Sequence, residues 1–355
     1  MTIGMLRSRY TVAFVALLLA ALVFSARVGR TAARELSPDT PSRTFSFVYK
    51  VRVSANAEIV ASSHLWIPLP RADGYQEIHA LHIDSPVAYS QGRDPEYGNT
   101  FAMFTPTPKQ ITTGFDVAVY FTATRHEHKV LLNRDARDAS SNGLSPEATS
   151  QLQRFLQPDA LVPRNDVIAQ LAKEHTIGDT TPLQKARHIY EYVVSTMRYD
   201  KSGEGWGRGD AVWACTSKRG NCTDFHSLLI GMMRASGIPA RFEIGFLLPE
   251  GKREADIPGY HCWAEFYLEG TGWIPVDASE AWKNPGKKEY FFGAHDDNRI
   301  FFTYGRDIRL SSVQKGAPLN YFIYPYHEVN GEPVKNYQTH FSFRDVTRVQ
   351  QASRQ

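Results

Sequence analysis

The sequence predicts an α+β protein in which a small β-sandwich precedes a domain built from a helix packed on an antiparallel sheet. Three observations predict it. Residues 44–125 break into short β-rich runs separated by turn formers, residues 165–199 carry helical periodicity behind clear start signals, and residues 220–277 read in order as one helix and three strands. With 355 residues, 42% hydrophobic and 12% aromatic, the chain can bury one large or two medium cores.

In the first part the strand runs are Phe45 to Val53, Glu58 to Pro68, Tyr75 to Ile83, Thr100 to Phe104 and Phe115 to Thr124. Several alternate apolar with polar residues, as half-buried strands do. No chemical cluster sits among them, so this part reads as a scaffold or substrate-orienting module. After His126 the composition becomes polar and helical. Ser145 to Leu156 fits a short helix, and Asn165 caps a second running to His175. Thr181-Pro-Leu-Gln then supplies an N-cap, a proline at the first helical position and a capping-box Gln184. Leu183, Ala186, Ile189, Val193 and Met197 follow at helical spacing.

Gly220, Asn221 and Cys222 precede a third helical pattern through Phe225, Leu228, Leu229 and Met232, stopped by Ser236-Gly-Ile-Pro. Strand patterns follow at Arg241 to Leu248, His261 to Leu268 and Trp273 to Asp277. Near the end, Asn330-Gly331 joins two further runs as a hairpin turn.

The formal charge of +3 is dispersed, with no basic run interleaved with aromatics, which argues against nucleic acid as a partner. Arg7 and Arg9, the apolar stretch Thr11 to Phe24, and small residues around Ser25 read as an export signal or an uncleaved N-terminal anchor. Either version predicts an exported, periplasmic protein that meets the membrane only through that segment. Its three cysteines, Cys215, Cys222 and Cys262, are too few for a disulfide framework and leave at least one free thiol.

Cys222 stands at a predicted helix start, where unpaired backbone N–H groups and the helix dipole favour an anion and hence a thiolate. A thiolate nucleophile needs a base that can also protonate a leaving amine, and histidine suits both tasks. His261 is the leading candidate, and Asp277 lies across a hairpin where a carboxylate could fix the imidazole tautomer. An even turn about Gly270 and Thr271 would set Asp277 opposite Ala264, so a register shift is required. Alone, each of these residues is more often part of a core; their combination is what points to nucleophilic catalysis.

Trp206-Gly-Arg-Gly-Asp, Arg219-Gly-Asn-Cys-Thr-Asp, Arg234-Ala-Ser-Gly-Ile-Pro-Ala-Arg, Tyr260-His-Cys-Trp-Ala-Glu and Gly272-Trp-Ile-Pro-Val-Asp-Ala-Ser resemble the core of the transglutaminase-like superfamily, and of its exported bacterial members. The resemblance covers roughly residues 181–310. It implies a papain-like fold, a triad falling on Cys222, His261 and Asp277, no cofactor, and acyl transfer from a peptide or protein amide through a thioester. Hydrolysis is favoured over transamidation because water is always present, whereas a second amine needs its own binding surface.

The resulting organisation is 1–26, signal peptide or anchor; 44–125, β-sandwich; 126–164, helical linker; 165–315, transglutaminase-like catalytic domain; and 316–345, C-terminal hairpin. Trp206, Trp213, Asn221, His226 and Trp263 are candidates for the substrate cleft, and the Glu250 to Gly259 loop is expected to cover it. Cys262 is expected to face the core, and Cys215 to be buried or to pair reversibly with Cys222. Two other readings compete. One is a metal site of Cys215, Cys222, His226 and His261, whose spacing fits no common zinc pattern. The other is a non-catalytic binding or assembly module that keeps the fold.

Overall fold

The computed structural model describes residues 36–56, 60–132 and 144–346, so the expected export segment lies outside the described residues. The chain divides into two units, 1–40 and 41–355. Of the first, residues 36–40 are described and form a turn closed by Thr40 N–H donating to the Ser37 carbonyl. The second unit contains everything that follows.

Its elements run β1 (Ser42–Val53), β2 (Ser63–Pro68), β3 (Gln76–Asp84), β4 (Tyr89–Arg93), β5 (Thr100–Phe104), α1 (Pro108–Thr113), β6 (Phe115–His126) and β7 (His128–Lys129). Then come α2 (Pro146–Leu152), α3 (Asp166–His175), α4 (Pro182–Thr196), β8 (Arg198–Tyr199), α5 (Ala211–Ser217), β9 (Arg219–Gly220), α6 (Cys222–Ala235), β10 (Ala240–Leu247) and β11 (Glu254–Ile257). The chain continues through β12 (His261–Leu268), β13 (Gly272–Val276), α7 (Ala278–Lys283), β14 (Ala294–His295) and β15 (Arg299–Tyr304), and closes with β16 (Tyr326–Val329), β17 (Glu332–Val334) and β18 (Tyr337–Asp345).

Two five-stranded sheets, ordered β11-β18-β1-β6-β3 and β17-β16-β2-β5-β4, make the sandwich. Strand β1 shows why: Phe45, Phe47, Tyr49, Val51 and Val53 are buried at every second position. Both sheets recruit strands from beyond residue 250. The turn at Asn330-Gly331 joins β16 to β17 as the sequence indicates, with both residues at positive φ (54° and 84°). The chain then leaves the hairpin, and β18 pairs along β1 from Val53↔Tyr337 to Phe45↔Asp345.

The second domain centres on a four-stranded sheet, β13-β12-β10-β15, with α6 lying on β12 and β10. Every residue of α6 from Cys222 to Arg234 is buried. Such a helix is held by contacts on all sides rather than by one amphipathic stripe. Phe47 of β1 stacks with Phe121 and meets Phe246 of β10 and Phe302 of β15, so one continuous apolar core joins the sandwich to the site-bearing sheet. Gly245 lets two of these strands approach closely: a Cβ there would sit 1.8 Å from the Ile300 carbonyl oxygen.

Candidate active site

The site is assembled where α6 begins, β12 begins and β13 ends. Asn221 caps α6, its side-chain oxygen accepting the Thr223 N–H at 2.9 Å, and Asp224 accepts the Asn221 N–H at 2.9 Å to complete a capping box. Asp224 also accepts the N–H groups of Gly207 (2.7 Å) and Gly209 (3.0 Å), which ties the glycine loop before α5 to the start of α6. Gly220 is required beside it: φ is 147°, and a Cβ would lie 2.3 Å from the Asp224 carboxylate. The sequence reading passed over Asp224, although it stands at the third helical position where a capping-box acid belongs.

Cys222 is therefore the first residue of α6, 2% exposed, and its thiol neighbours the His261 imidazole. The His261 Nε2 meets Asp277 Oδ2 at 2.8 Å, which leaves Nδ1 for the thiol. Asp277 is fully buried. Its Oδ1 accepts the Ser279 hydroxyl at 3.0 Å and the Glu280 N–H at 2.9 Å, capping α7, while Arg299 Nη1 approaches Oδ2 at 3.3 Å. Arg299 is a partner that the sequence did not reveal.

Strands β12 and β13 pair Ala264 with Val276 and Leu268 with Gly272 across a three-residue turn, Glu269 to Thr271. The required register shift is one residue, taken in the turn and not in a bulge. Extending the ladder sets Asp277 opposite Trp263, on the face that His261 shares, two positions from it.

Charge follows from these contacts. Burial disfavours the imidazolium, but the Asp277 charge and hydrogen bond, together with the thiolate beside it, push His261 up to about 9. Burial likewise disfavours a thiolate at Cys222. The neighbouring Cys262 and His261, with the charge on His261, outweigh it and hold the thiol well below its ordinary value. Cys262 moves the other way, raised by burial and by Cys222. These directions favour a Cys222 thiolate beside a His261 imidazolium, with the Cys262 thiol neutral.

The expected cleft residues lie elsewhere. A cavity of about 550 Å³ opens at His261, bordered by Tyr199, Tyr260, Glu280, Lys283 and Tyr290, and none of Trp206, Trp213, Asn221, His226 or Trp263 lines it. Trp263 is fully buried, donating its indole N–H to Glu243 at 2.5 Å, because its face of β12 is covered by β15 residues Phe301 and Tyr304. Trp206 spends its indole N–H on the Gly203 carbonyl (3.1 Å) and offers none to an oxyanion. Trp213 is half-buried under the Arg219 guanidinium, and Asn221 turns its amide N–H to the Tyr260 hydroxyl at 3.1 Å.

His226 is fully buried, its Nδ1 2.8 Å from the Cys222 carbonyl and its Nε2 accepting the Ala278 N–H at 3.1 Å. With Nε2 accepting, Nδ1 carries the proton. His226 is thus a strut between the nucleophile helix and the Asp277 turn. Cys262 is buried as expected, yet its Sγ faces Thr223 Oγ1 (3.7 Å) and His226 Nδ1 (3.8 Å) at the site. Cys215 is half-buried and, like the other two cysteines, free.

Two residues that the sequence analysis did not single out complete the surroundings. Tyr199 borders the cavity beside Cys222, and burial raises its phenol well above the ordinary value. The Tyr260 hydroxyl bonds Thr223 Oγ1 at 2.8 Å. Ile257 to Gly259 and Glu250 border the cavity, so the Glu250 to Gly259 segment does flank it, with β11 added as an edge strand beside β18. A larger depression, about 840 Å³, lies on the outer face of β1, β6 and β18, far in the fold from the thiol.

Comparison with known proteins agrees with this architecture. Residues 169–278 match the transglutaminase-like superfamily. They form a transglutaminase-like domain. An uncharacterised protein of Haemophilus influenzae is 26% identical over 317 residues, covering 78% of this chain and 83% of that one. The uncharacterised YebA of Bacillus subtilis is 25% identical over 149 residues, 38% of this chain and 20% of its own length. Among solved structures, a candidate cysteine protease from Cytophaga hutchinsonii superposes with a TM-score of 0.58 at 15% identity, covering 87% of this chain and 92% of that one. The shared fold therefore includes the sandwich as well as the transglutaminase-like domain.

Proposed function

We propose that this protein is a thiol-dependent acyl-transfer enzyme that cleaves peptide or isopeptide bonds, with Cys222 as nucleophile, His261 as acid and base, and Asp277 as the group that orients His261. The observation that carries the reading is the buried His261–Asp277 pair, 2.8 Å apart, beside Cys222 at a helix start. The thiolate attacks the amide carbonyl, and the oxyanion draws on the Cys222 N–H and the Tyr199 hydroxyl. His261 hands its proton to the departing amine, leaving a thioester. It then takes a proton from water, which attacks the thioester and releases the acid.

The bordering groups, tyrosines with Glu280 and Lys283, suit a polar, peptide-like substrate. The N-terminal segment supports export to the periplasm, with a membrane contact confined to that segment. One observation favours a second reading, a non-catalytic module: Cys222 is only 2% exposed, so the surroundings must move before a substrate reaches the thiol. Incubating the purified chain with a peptide mixture, with and without a primary amine, separates the outcomes by mass spectrometry. New carboxyl termini that vanish in Cys222→Ala support hydrolysis, amine adducts indicate transamidation, and an unchanged mixture supports the binding module.

A further inference from the structure

Beyond Trp263 on the same face of β12 as His261 lies a second polar cluster that the proposed chemistry does not use. Glu265 (β12), His128 (β7) and His295 (β14) are all buried, and one ligand-competent atom from each lies within 4.8 Å of the others. His128 Nδ1 is 3.1 Å from Glu265 Oε1, and His295 is the cross-strand partner of His128. His295 is 0% exposed, and neither ring nitrogen has a hydrogen-bond partner among the described residues. An imidazole left in that state is unusual, since buried polar atoms are nearly always paired.

The remaining contacts are those that ligands receive from supporting groups. Arg241 Nε donates to Glu265 Oε2 at 2.8 Å, which fixes the carboxylate and leaves Oε1 toward the histidines. The Tyr75 ring stacks on His128 at 3.7 Å, and His295 packs edge-on against Trp263 at 5.8 Å.

We propose that His128, Glu265 and His295 form a divalent-cation site, zinc by its donor set, that ties the β7–β14 pair to the strand carrying His261. Two imidazoles and a carboxylate are a zinc donor set, whereas magnesium and calcium prefer oxygen alone. A tetrahedral ion with bonds of about 2.0 Å needs ligand atoms about 3.4 Å apart, so contraction from within 4.8 Å is modest. The β7–β14 pair has only two ladder positions, Lys129↔Ala294 and His128↔His295, so a shared ion would be its principal fastening to β12.

The test is zinc binding by the chelator-stripped full chain, read by metal analysis after gel filtration, by thermal melting and by the cobalt(II) spectrum. Expected are one zinc per chain, a higher melting temperature with zinc, the same stoichiometry in Cys222→Ala, and loss of the zinc in His295→Gln. Cobalt should give tetrahedral visible bands without thiolate charge transfer, a readout on the unaltered chain that does not depend on His295→Gln folding. Absence of stoichiometric zinc in the unaltered chain, zinc retained by a folded His295→Gln, or thiolate-to-cobalt charge transfer would each overturn the assignment.

Discussion

Replacing Asp277 with asparagine separates the charge of this residue from its role in the fold. Asparagine can keep the cap on α7, because its amide oxygen can take the place of Oδ1 toward Ser279 and Glu280. The amide nitrogen then occupies the Oδ2 position, where it can only donate to His261 Nε2, and so moves the ring proton to Nδ1. The charge is lost as well. His261 stands at about 9 against an ordinary value of about 6.5, a rise worth about 3 kcal/mol. A unit charge about 4 Å away at an effective dielectric of about 20 is worth about 4 kcal/mol, so Asp277 is the principal source of the rise, with the Cys222 thiolate adding to it against burial. Without it the thiolate–imidazolium form should lose about 100-fold in population against the neutral pair. The assay is the rate of Cys222 alkylation by iodoacetamide against pH, with Cys222→Ala as the blank. At pH about 6 the variant should react about 100-fold more slowly, and the two rates should converge above the ordinary thiol value of about 8.5. Equal rates at pH about 6, in a variant that melts like the parent, would refute the ion pair and with it the triad.

Two further substitutions test the frame around the site. Asn221→Ala removes the α6 cap and its bond to Tyr260, and should cost about 1–2 kcal/mol in urea unfolding while slowing Cys222 alkylation at neutral pH. Gly245→Ala drives a methyl group into the Ile300 carbonyl, a contact with backbone that no rotamer relieves; a loss above about 3 kcal/mol, or failure to fold, is expected. Alkylation and unfolding measured together show whether the loss reaches the β12 end that His261 occupies.

Local signals were legible where they were complete within a few residues. Thr181, Pro182 and Gln184 predict the start of α4, and the structure forms that capping box with both bonds. Thr107, Pro108 and Gln110 carry the same signature and start α1, a helix that the reading missed because only six residues follow before Gly114. The alternation of β12 was equally clear, and His261–Leu268 is a strand over that span. What alternation could not say is which face would be covered. Trp263 looked like a cleft residue because it shares a face with His261, but the side chains of Phe301 and Tyr304 on β15, distant in sequence, pack against it. The sequestration of β18 beside β1 was hidden for the same reason, since a hairpin signal fixes a turn and leaves the partner on the strand's other edge open.

Asp277 shows how far one residue of register decides chemistry. A two-residue turn at Gly270-Thr271 would have placed it with Ala264 on the face that packs against α6; the three-residue turn transfers it to the face of His261. Because Asp277 also caps α7, its backbone leaves the strand there and its carboxylate stays free to bridge two elements. One oxygen holds the helix start and the other holds the imidazole, while Arg299, anchored to Asp296 on the same stretch of chain, balances the charge. A carboxylate used in this way is buried with each oxygen already engaged before any substrate arrives. The imidazole it orients is therefore set by the fold before any substrate binds.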